Sequence, residues 1–115
     1  SLMNPAYPGG YEILAAARPH AVVLQHAPAR KEYDGFPGYP LHPLEHQVRA
    51  LEMVSGRSVV AVTLNHEGLD RVATAQAARE IETTTGLPTL DPLFDGSDRL
   101  VEVVLGLLQP REALP

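Results

Sequence analysis

The chain contains no cysteine, which excludes disulfides and thiolate chemistry and suits a cytoplasmic address. It has no apolar run of the ~18 residues that a membrane helix needs. Its start lacks the basic, apolar, small-residue pattern of a signal segment. Positive charge is scarce: nine Lys and Arg stand against 14 Asp and Glu, for a formal net charge of −5. The nine are scattered. A binder of the phosphate backbone needs a basic stripe, so nucleic acid is not an expected partner. Glycine never gathers into a phosphate cradle, since Gly9-Gly10 is too short for a dinucleotide fingerprint and follows no strand. There is no nucleophile elbow. The Asp95-Gly96-Ser97-Asp98 run lacks the alternating oxygen ligands and terminal glutamate of a calcium loop, and reads as a turn and helix cap.

What is present is ordinary globular material. The 115 residues suffice for one domain or a piece of one, and 44% are apolar and 20% charged. Three strand-like runs, at 21–25, 58–64 and 87–90, alternate with helix-like stretches. The first is continuously apolar, which suits a parallel strand covered on both faces. The second is rich in β-branched valine. Pro88 makes the third short and an edge or near-edge element. Helices are expected at 10–17, from Pro43 as first residue to 54, at 70–84 with Asp70 as N-cap, and at 99–109 ahead of Pro110. Gly56 and Gly86 are helix stops. On the third helix Val72, Ala75, Ala78 and Ile81 lie within helical reach of one another. The last is apolar around much of its circumference, so it is buried on several sides or its partner lies elsewhere. Residues 1–9 read as a loop. Residues 26–42 form a long irregular stretch holding Tyr33, Phe36 and Tyr39, either functional or an ordered loop pinned by its aromatics. The order predicts an α/β fold of three layers, a mostly parallel sheet of about three strands with flanking helices.

Ligands bind outside the carboxyl ends of parallel strands, and each run here ends abruptly in polar residues. After the first come His26 and Arg30, suited to a phosphate or carboxylate; alternatively His26 is satisfied by backbone and Arg30 is solvated. Asn65 ends the second run. Its amide can read a purine edge, or it simply tolerates the turn. His66 and Glu67 beside it form an acid/base pair only if adjacent side chains point the same way. Asp91 and Pro92 follow the third run, where Asp91 binds ligand or forms an Asx-turn. His42-Pro43-Leu44-Glu45-His46 matches an inverted zinc-peptidase pattern. Pro43, however, puts the helix start between the two histidines, and the alternative is a capping region with solvated imidazoles. No metal site is expected.

Several segments in order carry a resemblance. They are Ser1-Leu-Met-Asn-Pro-Ala-Tyr7, Pro19-His-Ala-Val-Val-Leu-Gln-His26 with Pro28 and Arg30, Val60-Ala-Val-Thr-Leu-Asn65, and Glu82 to Gly86-Leu-Pro-Thr-Leu-Asp-Pro92. Together they resemble the C-terminal end of the DgcN family, P-loop proteins with a Rossmann-like N-terminal domain. The resemblance implies that residues 1–110 are part of a P-loop NTPase-like domain, followed by a tail at 111–115. Ser1 and Leu2 would be native-like, and the phosphate-binding loop would lie upstream of them. It implies part of a nucleotide-dependent or acyl-transferring enzyme that is inactive alone, with ATP or acyl-CoA as cofactor of the full-length protein. Some members are linked to D-glutamate through N-acylation of D-amino acids. His26 and Arg30 would then be catalytic, near the substrate or phosphate end, and Asn65, Asp91 and Pro92 cofactor-binding. The implied partners are a small-molecule ligand and either the missing N-terminal portion or a second copy of the chain. Departures occur at Asn4, Gln25 and His66, where the family usually has histidine, cysteine and a small hydroxyl residue. The competing expectation is a free-standing small α/β binding or dimerisation module without catalysis.

Overall fold

A computed structural model describes residues 2–7 and 9–108. Ser1 and Pro8 of the expected N-terminal loop, the helix end at Gln109, Pro110 and the tail at 111–115 lie outside the described residues. Helix α1 (Gly10–Ala17) precedes strand β1 (Val22–His26). Helix α2 (Leu44–Ser55), strand β2 (Val59–Leu64), helix α3 (Arg71–Thr85) and strand β3 (Thr89–Leu90) follow. A four-residue helix α4 (Pro92–Asp95) leads into α5 (Asp98–Leu108). The strands form one parallel sheet in the order β1-β2-β3. The fold is therefore α/β with β2 central. β3 pairs through only two residues, Val62 with Thr89 and Thr63 with Leu90, as Pro88 requires.

Side chains alternate across a strand, and this places the layers. Val22, Leu24 and Val59 point to one face, where they form a buried core with Leu2 and Leu51 of α2. Val23 and Val60 point to the other, where they line an apolar hollow with Val104 and Leu107 of α5. One face thus carries α2 and α3, and the other carries α5 over β2. This corrects the expectation that the first strand is covered on both faces. Val23 is 40% exposed, because α5 sits over β2 and leaves edge strand β1 open on that side.

Two joints set the strand starts. In α2 the Glu52 carboxylate accepts the backbone N–H of Val59 at 3.0 Å, and in α3 the Glu82 carboxylate accepts that of Thr89 at 3.1 Å. Between each pair lies a glycine in the left-handed region, Gly56 at φ 67° and Gly86 at φ 72°, whose N–H bonds back to the same glutamate's carbonyl. The helix end and the next strand are thereby tied by one residue seven positions before the strand. Asp70 caps α3 as expected, accepting from the Ala73 N–H at 2.7 Å. The apolar positions read on that helix are not its buried ones: Val72 and Ala75 are exposed, and Thr74 is buried. The Thr74 hydroxyl donates to the Asp70 carbonyl, so burying it leaves no orphaned group. Helix α2 starts one residue later than expected. Pro43 has ψ 145° and stands as N-cap in extended conformation.

Candidate functional site

The connections leaving the three strands meet at one end of the sheet. Residues 26–43 return from β1 through a loop held by its aromatic side chains. Tyr33 is almost fully buried, its hydroxyl lies 2.6 Å from His42 Nδ1, and its N–H donates to the Tyr39 carbonyl. Phe36 and Tyr39 meet edge to face at 5.3 Å. Asn4 reaches the same loop by donating to the Asp34 carbonyl at 2.8 Å. His42 thus lies outside the helix with Nδ1 taken by Tyr33, and His46 is exposed in the first turn of α2. Among the described residues, no three His, Asp or Glu side chains converge as a metal site would require.

Three of the sequence-selected residues do come together. His26, Arg30 and Asn65 line a cavity of about 140 Å3 with Gln25 and the buried Gln47. The backbone ties its two sides, since the Asn65 N–H donates to the His26 carbonyl at 2.8 Å. Asn65 Oδ1 accepts from the Glu67 N–H in an Asx-turn. Burial pushes the His26 imidazole below its ordinary value, so it stays neutral in neutral solution. His26 also faces a neighbouring cleft of about 270 Å3 between α2 and α3, lined by Leu44, Glu45 and Ile81. Arg30 pairs with Glu67 at 2.6 Å on the rim.

Asp91 and Pro92 stand apart from that cavity. Asp91 is fully buried and caps α4, with Oδ1 accepting the N–H groups of Leu93 and Phe94. Pro92 is the first residue of that helix, where a missing N–H costs nothing. Asp91 Oδ2 lies 2.5 Å from His66 Nδ1. Burial alone would raise the Asp91 carboxyl. The Phe94 N–H, His66, the Leu93 N–H and the nearby imidazole charge outweigh it and hold the group below its ordinary value. The His66 ring stacks on Phe94 at 3.8 Å and 9°. Arg71 lies 4.5 Å from the centre of the same ring and donates to the Phe94 carbonyl. The short β2–α3 connection is therefore held on both sides, by Glu67 to Arg30 and by His66 to Asp91. Sequence reasoning named His66 and Asp91 separately and missed their pairing. Asp91 directly follows β3 and His66 lies two residues past β2, and it is the pairing of those strands that brings the two together.

The chain matches the profile of a family described as a domain of unknown function (DUF1611_C), P-loop domain, over residues 1–101. It is 27% identical over 110 residues to a protein of Tritonibacter scottomollicae named D-glutamate N-acetyltransferase, covering 90% of the chain. A crystal structure of a DUF1611 family protein from Anabaena variabilis superposes with a TM-score of 0.85 at 27% identity over 92% of the chain. The chain spans 33% of the length of each of these relatives.

Proposed function

Because the chain belongs to the DUF1611 C-terminal P-loop domain family, we propose that it supplies the acceptor-binding wall of an enzyme that acylates the amino group of a D-amino acid such as D-glutamate. The observation that carries this reading is the convergence of His26, Arg30 and Asn65 on one polar cavity at the carboxyl end of the sheet. The arginine fork matches a carboxylate, the neutral imidazole of His26 accepts or donates one hydrogen bond, and the Asn65 amide offers both. The name of the Tritonibacter relative supports an amino acid with a carboxylate as the occupant. ATP or an acyl-CoA is the cofactor class proposed for the longer protein. Its phosphates would be held outside this chain, which has no Gly-x4-Gly-Lys pattern. Within the longer polypeptide that such relatives carry, the additional chain covers the apolar face of α5.

Titration of the isotope-labelled chain with D-glutamate tests the reading. Amide shifts are expected around His26, Arg30 and Asn65, lost in Arg30→Ala and weaker with L-glutamate. Absence of those shifts, or tight magnesium-dependent ATP binding by this chain alone, overturns it.

A further inference from the structure

His26 lines two clefts whose walls differ in kind. On one side stands the polar cavity of Arg30 and Asn65. On the other, Pro28, Pro43, Leu44, Ala77 and Ile81 make the walls between α2 and α3 largely hydrocarbon. The two spaces adjoin, since segments 26–28 and 41–47 each supply walls to both. The polar groups of the second cleft do not suit an anion. Thr84 and Thr85 donate their hydroxyls to the Glu80 and Ile81 carbonyls at 2.9 and 2.7 Å. Glu45 and Glu80 set carboxylates along its exposed rim. Among the described residues that line it there is no Lys or Arg. A carboxylate or phosphate there would meet like charge and no cation. A hydrocarbon chain gains burial instead. Burial also holds the His26 imidazole below its ordinary proton affinity, so such a chain passes a neutral ring rather than a charge. The space continues beyond the cleft, because Glu45, Thr84 and Thr85 also line a hollow that reaches Val48 and Leu87.

We propose that the cleft between α2 and α3 receives the chain of the acyl group carried by the amino nitrogen, and that Ala77 and Ile81 limit its length. This rests on the acyl-transfer reading above. The acceptor's carboxylates stay on the side of the Arg30 fork, where the cation is. The hydrogen-bonding group at the junction of the two spaces is the His26 imidazole, which places the amino nitrogen there. A group attached to that nitrogen then leads past the ring into the cleft. An acetyl group ends beside His26 and gains little from the hydrocarbon walls. Each further methylene enters them. The ligand class is therefore uncharged aliphatic acyl groups longer than acetyl.

Binding of finished products needs no co-substrate and tests the proposal on the full chain. N-acetyl-, N-butyryl- and N-hexanoyl-D-glutamate are titrated against the isotope-labelled protein. All three are expected to shift the Arg30 amide, with affinity rising about 2- to 4-fold per added methylene. A nuclear Overhauser contact is expected between the terminal hexanoyl methyl and the Ile81 methyls. Ala77→Phe, which puts a ring into the cleft, is expected to remove the gain with chain length. Equal affinities of the three products for the wild-type chain overturn the proposal and leave the acyl-transfer reading standing. So does a hexanoyl methyl that contacts Val104 or Leu107 instead of Ile81, or a gain with chain length that survives in folded Ala77→Phe. If none of the three products binds, the acyl-transfer reading falls together with this one.

Discussion

His26 sits with its imidazole half-buried between two clefts, and burial lowers its proton affinity below the ordinary value of 6.5. The folded chain therefore binds less of this proton than the unfolded chain does. Stability from this group is intact above about pH 6.5 and is lost as pH falls below it. Thermal unfolding of wild type and His26→Gln between about pH 7.5 and 5.5 checks the sign. The wild-type midpoint is expected to fall more steeply with acid, by at most the effect of one proton. Equal slopes would refute the assignment. His26, Arg30 and Asn65 could be picked from the sequence because each follows a legible strand. The ring partners could not. His66 and Asp91 are 25 residues apart, and only the β2–β3 pairing makes them neighbours. His42 misled for a related reason, because a five-residue pattern carries no information about Tyr33, which takes its Nδ1.

Helix α2 was readable from its apolar spacing and Gly56, and α3 from its ends, Asp70 and Gly86, although the apolar spacing read on α3 did not give its buried face. Helix α4 was not, since its four residues are too few to show a period. The device that joins helix to strand was also hidden, because a glutamate in a last turn looks like a solvated charge. Glu52→Ala is expected to cost about 1–3 kcal/mol by leaving the Val59 N–H without its charged acceptor. Glu52→Gln, which keeps an acceptor oxygen, should cost less. Urea unfolding midpoints compare the two, and equal, negligible losses would show that water replaces the carboxylate. The same test at Glu82 removes a second bond as well, the one from Arg99, and so ties β3 to α5.

At the level of the whole molecule the two faces of the sheet are unequal. One is closed by α2 and α3. Among the described residues the other carries only α5, with Leu105 at 55% and Leu107 at 48% exposure beside an apolar hollow of about 370 Å3. The sequence announced this as a helix apolar around much of its girth, but not which strand would be left bare. No helix among the described residues is long and apolar enough to cross a membrane. The cover proposed for this face is the additional chain of the longer polypeptide. The isolated chain is expected to self-associate through this face. Val104→Glu with Leu107→Glu should give a monomer in sedimentation velocity with the fold retained by circular dichroism. A wild-type monomer at all concentrations would contradict it. The double anchoring of the connection between β2 and α3 has its own consequence. Glu67 and His66 are adjacent, so an anion that takes Arg30 from Glu67 frees one end of a strut whose other end orients the His66 ring. Two adjacent residues thus carry both anchors of the connection, one exchangeable with an anion at the rim and one held by the Asp91 carboxylate and the Phe94 ring.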